Sequence, residues 1–269
     1  MIFDKAGFRK YTMPMVTATS NNTWLSMPRP NPAAKVRLFC FPYSGAAASV
    51  FYPWADVLPA TIEVCPVQLP GHGTRLAEPL HDRLDPLVAA LADGLAPYFD
   101  KPFAFFGHSM GALLSYELAR LLRRRGFSPV YLFVSGHGAP HLPDRNPPLH
   151  QLPDGEFVAK LRELNGTPEE VLQHAELLQL LTPILRADFA VCETYAYSAA
   201  PPLTCPISVY SGLGDGYVNR EELEGWREQT TGTFVLRLFP GDHFYLNTAR
   251  HYLLQALVRD LDAVLILGR

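Results

Sequence analysis

Apolar residues gather in short, near-continuous runs: VRLFCF from Val36, IEVCPVQL from Ile62, FAFFG from Phe103, VYLFVS from Val130, ISVYSG from Ile207 and FVLRLF from Phe234. Unbroken runs of this length, as opposed to alternating ones, predict strands covered on both faces. Between them, LDPLVAALADGLAPYF, GALLSYELARLLRRRG and REELEGWREQ carry the helical period. LNTARHYLLQALVRDLDAVLIL reads as one closing C-terminal helix. Strand and helix in alternation predict an α/β fold with a mostly parallel sheet and helices on both faces.

The alternation fails twice. From Met1 to Ala34 the chain is polar and punctuated by proline, which predicts an irregular arm. From about 140 to 198 no strand pattern occurs. PDGEFVAKLRELNG and PEEVLQHAELLQLLTPILRADFAVCETYAY read there as helices, each opened by proline and acidic residues. In the second, Leu177, Leu178, Leu181, Ile184 and Leu185 are spaced to form one apolar face. Two roles are open to this insertion: further packing on the body, or a lid. Its place after a strand end, where α/β folds keep their sites, favours the lid.

Composition narrows the function more than the fold. With 269 residues, 48% of them hydrophobic, a sizeable core can be buried. A net charge of −3 gives no pull toward nucleic acid or an anionic membrane. No window approaches a membrane span, and no basic-then-apolar leader opens the chain. Cys40, Cys65, Cys192 and Cys205 are scattered without ligand spacing, so free thiols in a reducing cytoplasm are expected and no metal.

The chemistry begins at GHSMG, Gly107 to Gly111, between a predicted strand and a predicted helix. In that setting G-x-S-x-G is a turn too tight for large neighbours, and it lifts Ser109 to the sheet's C-terminal edge with a helix N-terminus behind it. Serine needs a base. His243, in LFPGDHFYL, follows the last strand and precedes the closing helix. Of the other histidines, His72, His81, His137, His141, His150 and His174 are expected as solvated loop or lid residues, His108 as a packing residue, and His251 lies within the closing helix. Asp215, in a glycine-rich loop after ISVYSG, completes the chain order Ser, acid, His used by α/β-hydrolases. Asp242 adjoins His243, and adjacent side chains rarely turn toward each other. The oxyanion is expected to meet the backbone amide of Met110 and one from the turn after the first strand, that of Ser44 or of Tyr43. Arg123-Arg124-Arg125, at the far end of the helix after Ser109, is expected to complement that helix's dipole.

Five separated blocks then carry a family resemblance: WLSMPRPNPAAKVRLFCFPYSGAAASVFYPW, VCPVQLPGHGTRLAEP, FAFFGHSMGALLSYELAR, LFVSGHGAP and FPGDHFYL. From Trp24 onward the chain resembles the type II thioesterases, stand-alone α/β-hydrolases of polyketide and nonribosomal peptide synthesis. The resemblance implies an extension over 1–23, one hydrolase domain over 24–269 and a flexible lid at about 140–198. It also implies hydrolysis of acyl groups from the phosphopantetheine arm of carrier proteins, clearing stalled or misprimed chains. Ser109, Asp215 and His243 take the triad roles. With the charge, hydropathy and cysteine pattern above, the expectation is a cytoplasmic monomer with no cofactor, no nucleic acid and no membrane. The chain departs from the family at Tyr43-Ser44-Gly45-Ala46, where His-Ala-Gly-Gly is usual, and at His72 and His137, where arginine is common. The rival activities are a medium-chain fatty acyl-carrier-protein thioesterase and a general acyl esterase. A non-catalytic hydrolase-fold binder would lack a triad member, and none is missing.

Overall fold

Six parallel strands form one sheet in the computed structural model, which describes residues 23–167 and 169–267. They are β1 (Val36–Phe41), β2 (Ile62–Pro66), β3 (Phe103–His108), β4 (Tyr131–Ser135), β5 (Ile207–Gly212) and β6 (Phe234–Phe239). Their order across the sheet is β2-β1-β3-β4-β5-β6, so the chain reverses direction of growth beside β1 and β3. That switch point sets the site at the carboxyl ends of the central strands. The fold is a mixed α/β fold of the α/β-hydrolase kind, with a helical insertion.

Alternate residues of each strand feed opposite layers, as a pleated strand requires. Phe39, Phe41, Phe105, Leu132, Val134 and Val209 pack under α1 (Leu84–Leu95) and α2 (Met110–Arg124). Leu38, Cys40, Phe106, Phe133 and Tyr210 pack with the 3₁₀ segment Ala48–Asp56 and the closing helix. The unbroken apolar runs therefore correspond to burial on both faces, except in β6, an edge strand whose residues are half-exposed up to Phe239. The four cysteines are free thiols.

The insertion contains α3 (Asp154–Leu164), α4 (Glu169–Leu172) and α5 (Ala175–Glu193). The second predicted helix is thus interrupted, with His174 extended in front of α5. The expected apolar face is also only partly used. Leu178, Leu181 and Leu185 meet Leu149, Phe157, Leu161 and Leu172 in a small separate cluster, while Leu177 is turned outward. After β5, α6 (Arg220–Glu224) opens with a capping box between Asn219 and Glu222. The closing helix is likewise divided, into α7 (Tyr245–Thr248) and α8 (Arg250–Leu267).

The expected irregular arm is in part a partner of the sheet. Ser26 donates to Pro66 O and Gln68 to Trp24 O, and Leu25 bridges Val67 in antiparallel sense. The predicted extension lies, up to residue 22, outside the described residues. Among the described residues no helix is long and apolar enough to cross a membrane.

Candidate active site

The turn from β3 into α2 is built for close approach. A Cβ on Gly107 would collide with the Gly111 carbonyl, and one on Gly111 with the Phe41 carbonyl of the neighbouring strand. Small residues at both positions let α2 start directly over the strand ends. Between them Ser109 takes φ 53° and ψ −120°, a strained conformation for a residue with a side chain. Its amide is anchored to Ser135 O at 2.8 Å, and its hydroxyl makes no capping bond to the helix. The hydroxyl is thus left for chemistry at a partly exposed corner.

Asp215 lies in the loop between β5 and α6. Its side chain is almost wholly buried and saturated with donors. Oδ2 accepts from Ser211 Oγ at 3.0 Å and lies 2.9 Å from His243 Nδ1; Oδ1 accepts the Tyr217 amide at 2.9 Å. Burial raises the Asp215 pKa, but His243, the Tyr217 amide and Ser211 together outweigh it and hold the carboxyl below its ordinary value. A charged Asp215 faces Nδ1 of His243, so Nε2 of the ring is turned away from the carboxylate. Asp242, the neighbouring carboxylate, is exposed and accepts the Phe244 amide at 2.9 Å, which shapes the loop instead of orienting the imidazole.

His243 is held by rings. Tyr217 and Phe244 meet it edge-on at centroid distances of 5.1 Å, and His108 lies 4.9 Å away. Among the described residues no hydrogen bond joins Ser109 Oγ to His243. In unliganded hydrolases that contact commonly tightens only with substrate. His108 is fully buried, with Nδ1 2.8 Å from Ser135 Oγ, itself 2.6 Å from the Tyr245 hydroxyl. Burial, with the neighbouring His243 and His137, depresses its pKa well below the ordinary imidazole value. His108 therefore stays neutral beside His243.

The turn after β1 faces this corner. Ala46 N–H closes it onto Tyr43 O at 3.0 Å, and Gly45 adopts φ +78°, the type II arrangement. Among the described residues, the amides of Tyr43, Ser44 and Met110 have no protein acceptor, whereas that of Gly45 is taken by Asp188 Oδ2 at 2.7 Å. The same oxygen is 2.9 Å from His72 Nε2. His72 is thus a buried, doubly bonded residue and not the solvated one expected. Burial within a predicted loop has no periodic signature. Asp188 did leave one: it lies in the apolar stripe Ile184, Asp188, Val191, where a lone acid calls for a partner. His137 is also held in the structure, with Nδ1 against Gly138 O and its carbonyl accepting from Trp226.

The insertion covers the site from above. A Cβ on Gly45 would strike Leu185 of α5, and one on Gly166 would strike the ring of Phe244. Phe244 in turn meets Tyr43 at 5.2 Å, so the insertion, the loop after β6 and the turn after β1 share one apolar seam.

Comparison with known proteins agrees with this architecture. Residues 36–265 match the thioesterase domain family. The gramicidin S biosynthesis protein GrsT of Aneurinibacillus migulanus is 46% identical over 245 residues, covering 91% of this chain and 96% of that protein. The type II thioesterase BorB from the borrelidin biosynthetic cluster superposes with a TM-score of 0.81 at 38% identity, over 88% of this chain and 97% of its own. RedJ, a thioesterase of the prodiginine pathway of Streptomyces coelicolor, gives a TM-score of 0.80 at 43% identity, over 86% of this chain and 88% of its own. The chain belongs to the thioesterase family, as a type II thioesterase of the α/β-hydrolase superfamily.

Proposed function

We propose that this thioesterase releases acyl groups from the phosphopantetheine arm of carrier-protein domains in nonribosomal peptide or polyketide synthesis, with Ser109, His243 and Asp215 as its triad. The observation that carries the triad is the 2.9 Å pair of Asp215 and His243, delivered by loops after β5 and β6 toward the corner of Ser109. The kinship to GrsT, BorB and RedJ supports the substrate class. Clearing of stalled or misprimed chains, in the cytoplasm, is the role this reading assigns.

In the proposed cycle, His243 Nε2 takes the Ser109 hydroxyl proton as Oγ attacks the thioester carbonyl. The oxyanion is met by the Met110 amide and by that of Ser44 or Tyr43. Collapse breaks the C–S bond, and the imidazolium returns its proton to the departing thiol. Water, deprotonated by the same imidazole, then attacks the acyl-serine ester; collapse breaks the ester C–O bond, the imidazolium returns the proton to Ser109 Oγ, and the carboxylic acid is released. A thioester needs less leaving-group help than an amide, so these residues suffice.

The basic run at the end of α2 has two of its arginines engaged away from the site: Arg123 donates to the carbonyls of Pro201 and Pro202, and Arg125 pairs with Asp93. It offers no cradle for the phosphates of free coenzyme A at the triad. A docked carrier raises the effective concentration of its tethered arm. Kinetics with one acyl group on a carrier protein, on coenzyme A and on a short thiol test this. The expected result is the highest kcat/KM on the carrier; equal or better efficiency on coenzyme A overturns carrier recognition.

A further inference from the structure

The insertion reaches the catalytic corner through one buried polar contact, and that contact has three parties on three separate segments. Asp188 comes from α5, Gly45 from the turn after β1, and His72 from the loop after β2. Asp188 is 2% exposed and His72 4%, so neither charge is answered by solvent. One carboxylate oxygen takes both the Gly45 N–H, at 2.7 Å, and His72 Nε2, at 2.9 Å.

The Gly45 contact bears on the turn's geometry. In a type II turn the central peptide, here Ser44–Gly45, is the unit that flips between alternative turns, and glycine at the third position permits either state. Holding the Gly45 N–H fixes that peptide plane, and with it the turn that carries the free amides of Ser44 and Tyr43. The second support comes from Gln68, whose Oε1 accepts the Ala48 amide at 3.2 Å while Nε2 donates to His72 O at 2.8 Å. The turn and the His72 loop are thereby joined on both flanks.

The His72 contact bears on charge. Nδ1 faces the Pro70 carbonyl at 2.9 Å and Nε2 faces Asp188, so both ring nitrogens look at acceptors. Only the imidazolium donates to both. Neutral His72 would leave one buried acceptor unanswered, and Asp188 would be a buried charge without a counter-ion.

We propose that Asp188 is a positioning residue for the oxyanion turn, and that protonated His72 holds it there, so that α5 and the catalytic corner are latched together by a charged contact. The inference rests on the function proposed above, in which that turn receives the oxyanion.

A dependence on pH follows. Burial opposes the charge on His72, but the Asp188 carboxylate and the Pro70 carbonyl outweigh it and raise its pKa above the ordinary imidazole value. The raised folded value means the latch is complete below the ordinary imidazole range and is lost as pH rises through the folded pKa. The other groups around it do not reverse this sign. The Cys192 thiol, near Asp188 on the same helix, is held protonated by burial. Arg75, in the His72 loop, is engaged by Glu78 and the Gln68 carbonyl.

The test is the pH profile of kcat on a small acyl thioester for the full chain and three variants. Wild type should lose kcat on the alkaline side, with KM changed far less. Asp188→Asn keeps an oxygen for the Gly45 amide without the charge, and His72→Gln keeps a neutral donor; both should start lower, by about tenfold, and lack the alkaline limb. Asp188→Ala, which frees the turn, should lose about a hundredfold in kcat. Melting curves and fluorophosphonate labelling of Ser109 identify any variant that fails to fold, and His72→Gln alone is enough to decide the matter. A flat wild-type profile, an unchanged alkaline limb in His72→Gln, or full kcat in folded Asp188→Ala overturns the latch. Ser109→Ala, run alongside, separates the two readings: if it stays active the proposed triad is wrong, and if it is dead while the latch variants behave as wild type, only the latch is wrong.

Discussion

Phe106 and Phe157 are both fully buried phenylalanines, but they are buried by different amounts of protein. Phe106 sits in a central strand, between Phe51, Trp54 and the closing helix, in a layer that runs from β2 to β6. Phe157 sits in the insertion, in a cluster whose other buried members are Leu149, Leu161, Leu172 and Leu185. The body has two large apolar layers on one rigid sheet; the insertion has a small one of its own. The chemistry proposed for Ser109, Asp215 and His243, which needs fixed distances, is accordingly drawn from strand ends. The part that covers the site is drawn from the less redundant region. The two meet along α5, whose first half carries exposed Leu177 and Leu180 and whose second half, after Pro183, is buried through Ile184, Leu185 and Val191. Pro183 lacks an N–H and removes a helical hydrogen bond at that division.

The largest expected effect is in the body. Ser109→Ala should lower turnover by about four to six orders of magnitude with the melting temperature nearly unchanged. His243→Ala should fall in the same class, because triad members act as a unit. Asp215→Asn should reduce kcat strongly and binding little, while Asp242→Asn should be close to silent, since among the described residues its carboxylate serves the Phe244 amide alone. A dead Asp242→Asn beside an active Asp215→Asn would assign the acid to the wrong loop, and labelling of a serine other than Ser109 by a fluorophosphonate would move the nucleophile.

The next effect belongs to the insertion. Phe157→Ala removes the ring at the middle of the small cluster, edge-on to Phe189 and beneath the Arg186 guanidinium. Truncations of this kind cost about 3–5 kcal/mol, more than a cluster this size can spare. Hydrogen exchange in α3, α4 and the first half of α5 should rise sharply in the variant, with β1, β3 and β4 unaffected. In the wild type these helices should already exchange faster than the strands. Exchange that rises equally in the strands would mean that insertion and body unfold as one unit, and the contrast between the two regions would fail.

How much of the molecule was legible in the sequence follows the same division. Every strand was visible: β1 to β5 because a strand buried on both faces writes an unbroken apolar run, and the half-exposed edge strand β6 because its run is interrupted only by Arg237. The corner of Ser109 was visible because its two glycines answer to backbone atoms of Phe41 and Gly111, a need that no other residue meets. The insertion was visible as helices but not in its breaks. The interruption before α5 and the division between α7 and α8 are set by tertiary contacts, which local period does not record. Nor did period separate Leu177 from Leu181, since positions four apart share a face only where a partner lies beneath both. The pairing of Asp188 with His72 joins residues from distant segments: the lone acid in the stripe of α5 signals that a partner exists, but local period does not name it as His72.

The smallest effect tests that difference between Leu177 and Leu181 within one helix. Leu177 is 41% exposed and Leu180 49%, whereas Leu178 and Leu181 pack on the small cluster. Placing Gln at Leu177 or Leu180 removes a side chain already largely in water, so stability by denaturant melting should change by no more than about 0.5 kcal/mol. Leu181→Gln puts a carboxamide against Phe157 and its neighbours without a partner, and should cost about 1–3 kcal/mol by the same measurement. Turnover of a short acyl thiol should be unaltered in Leu177→Gln and Leu180→Gln, because neither touches the corner of Ser109. If Leu180→Gln costs as much as Leu181→Gln, the outer face of α5 is packed in solution. The insertion would then be a fixed part of the body, and its helices should lose the faster exchange expected of them.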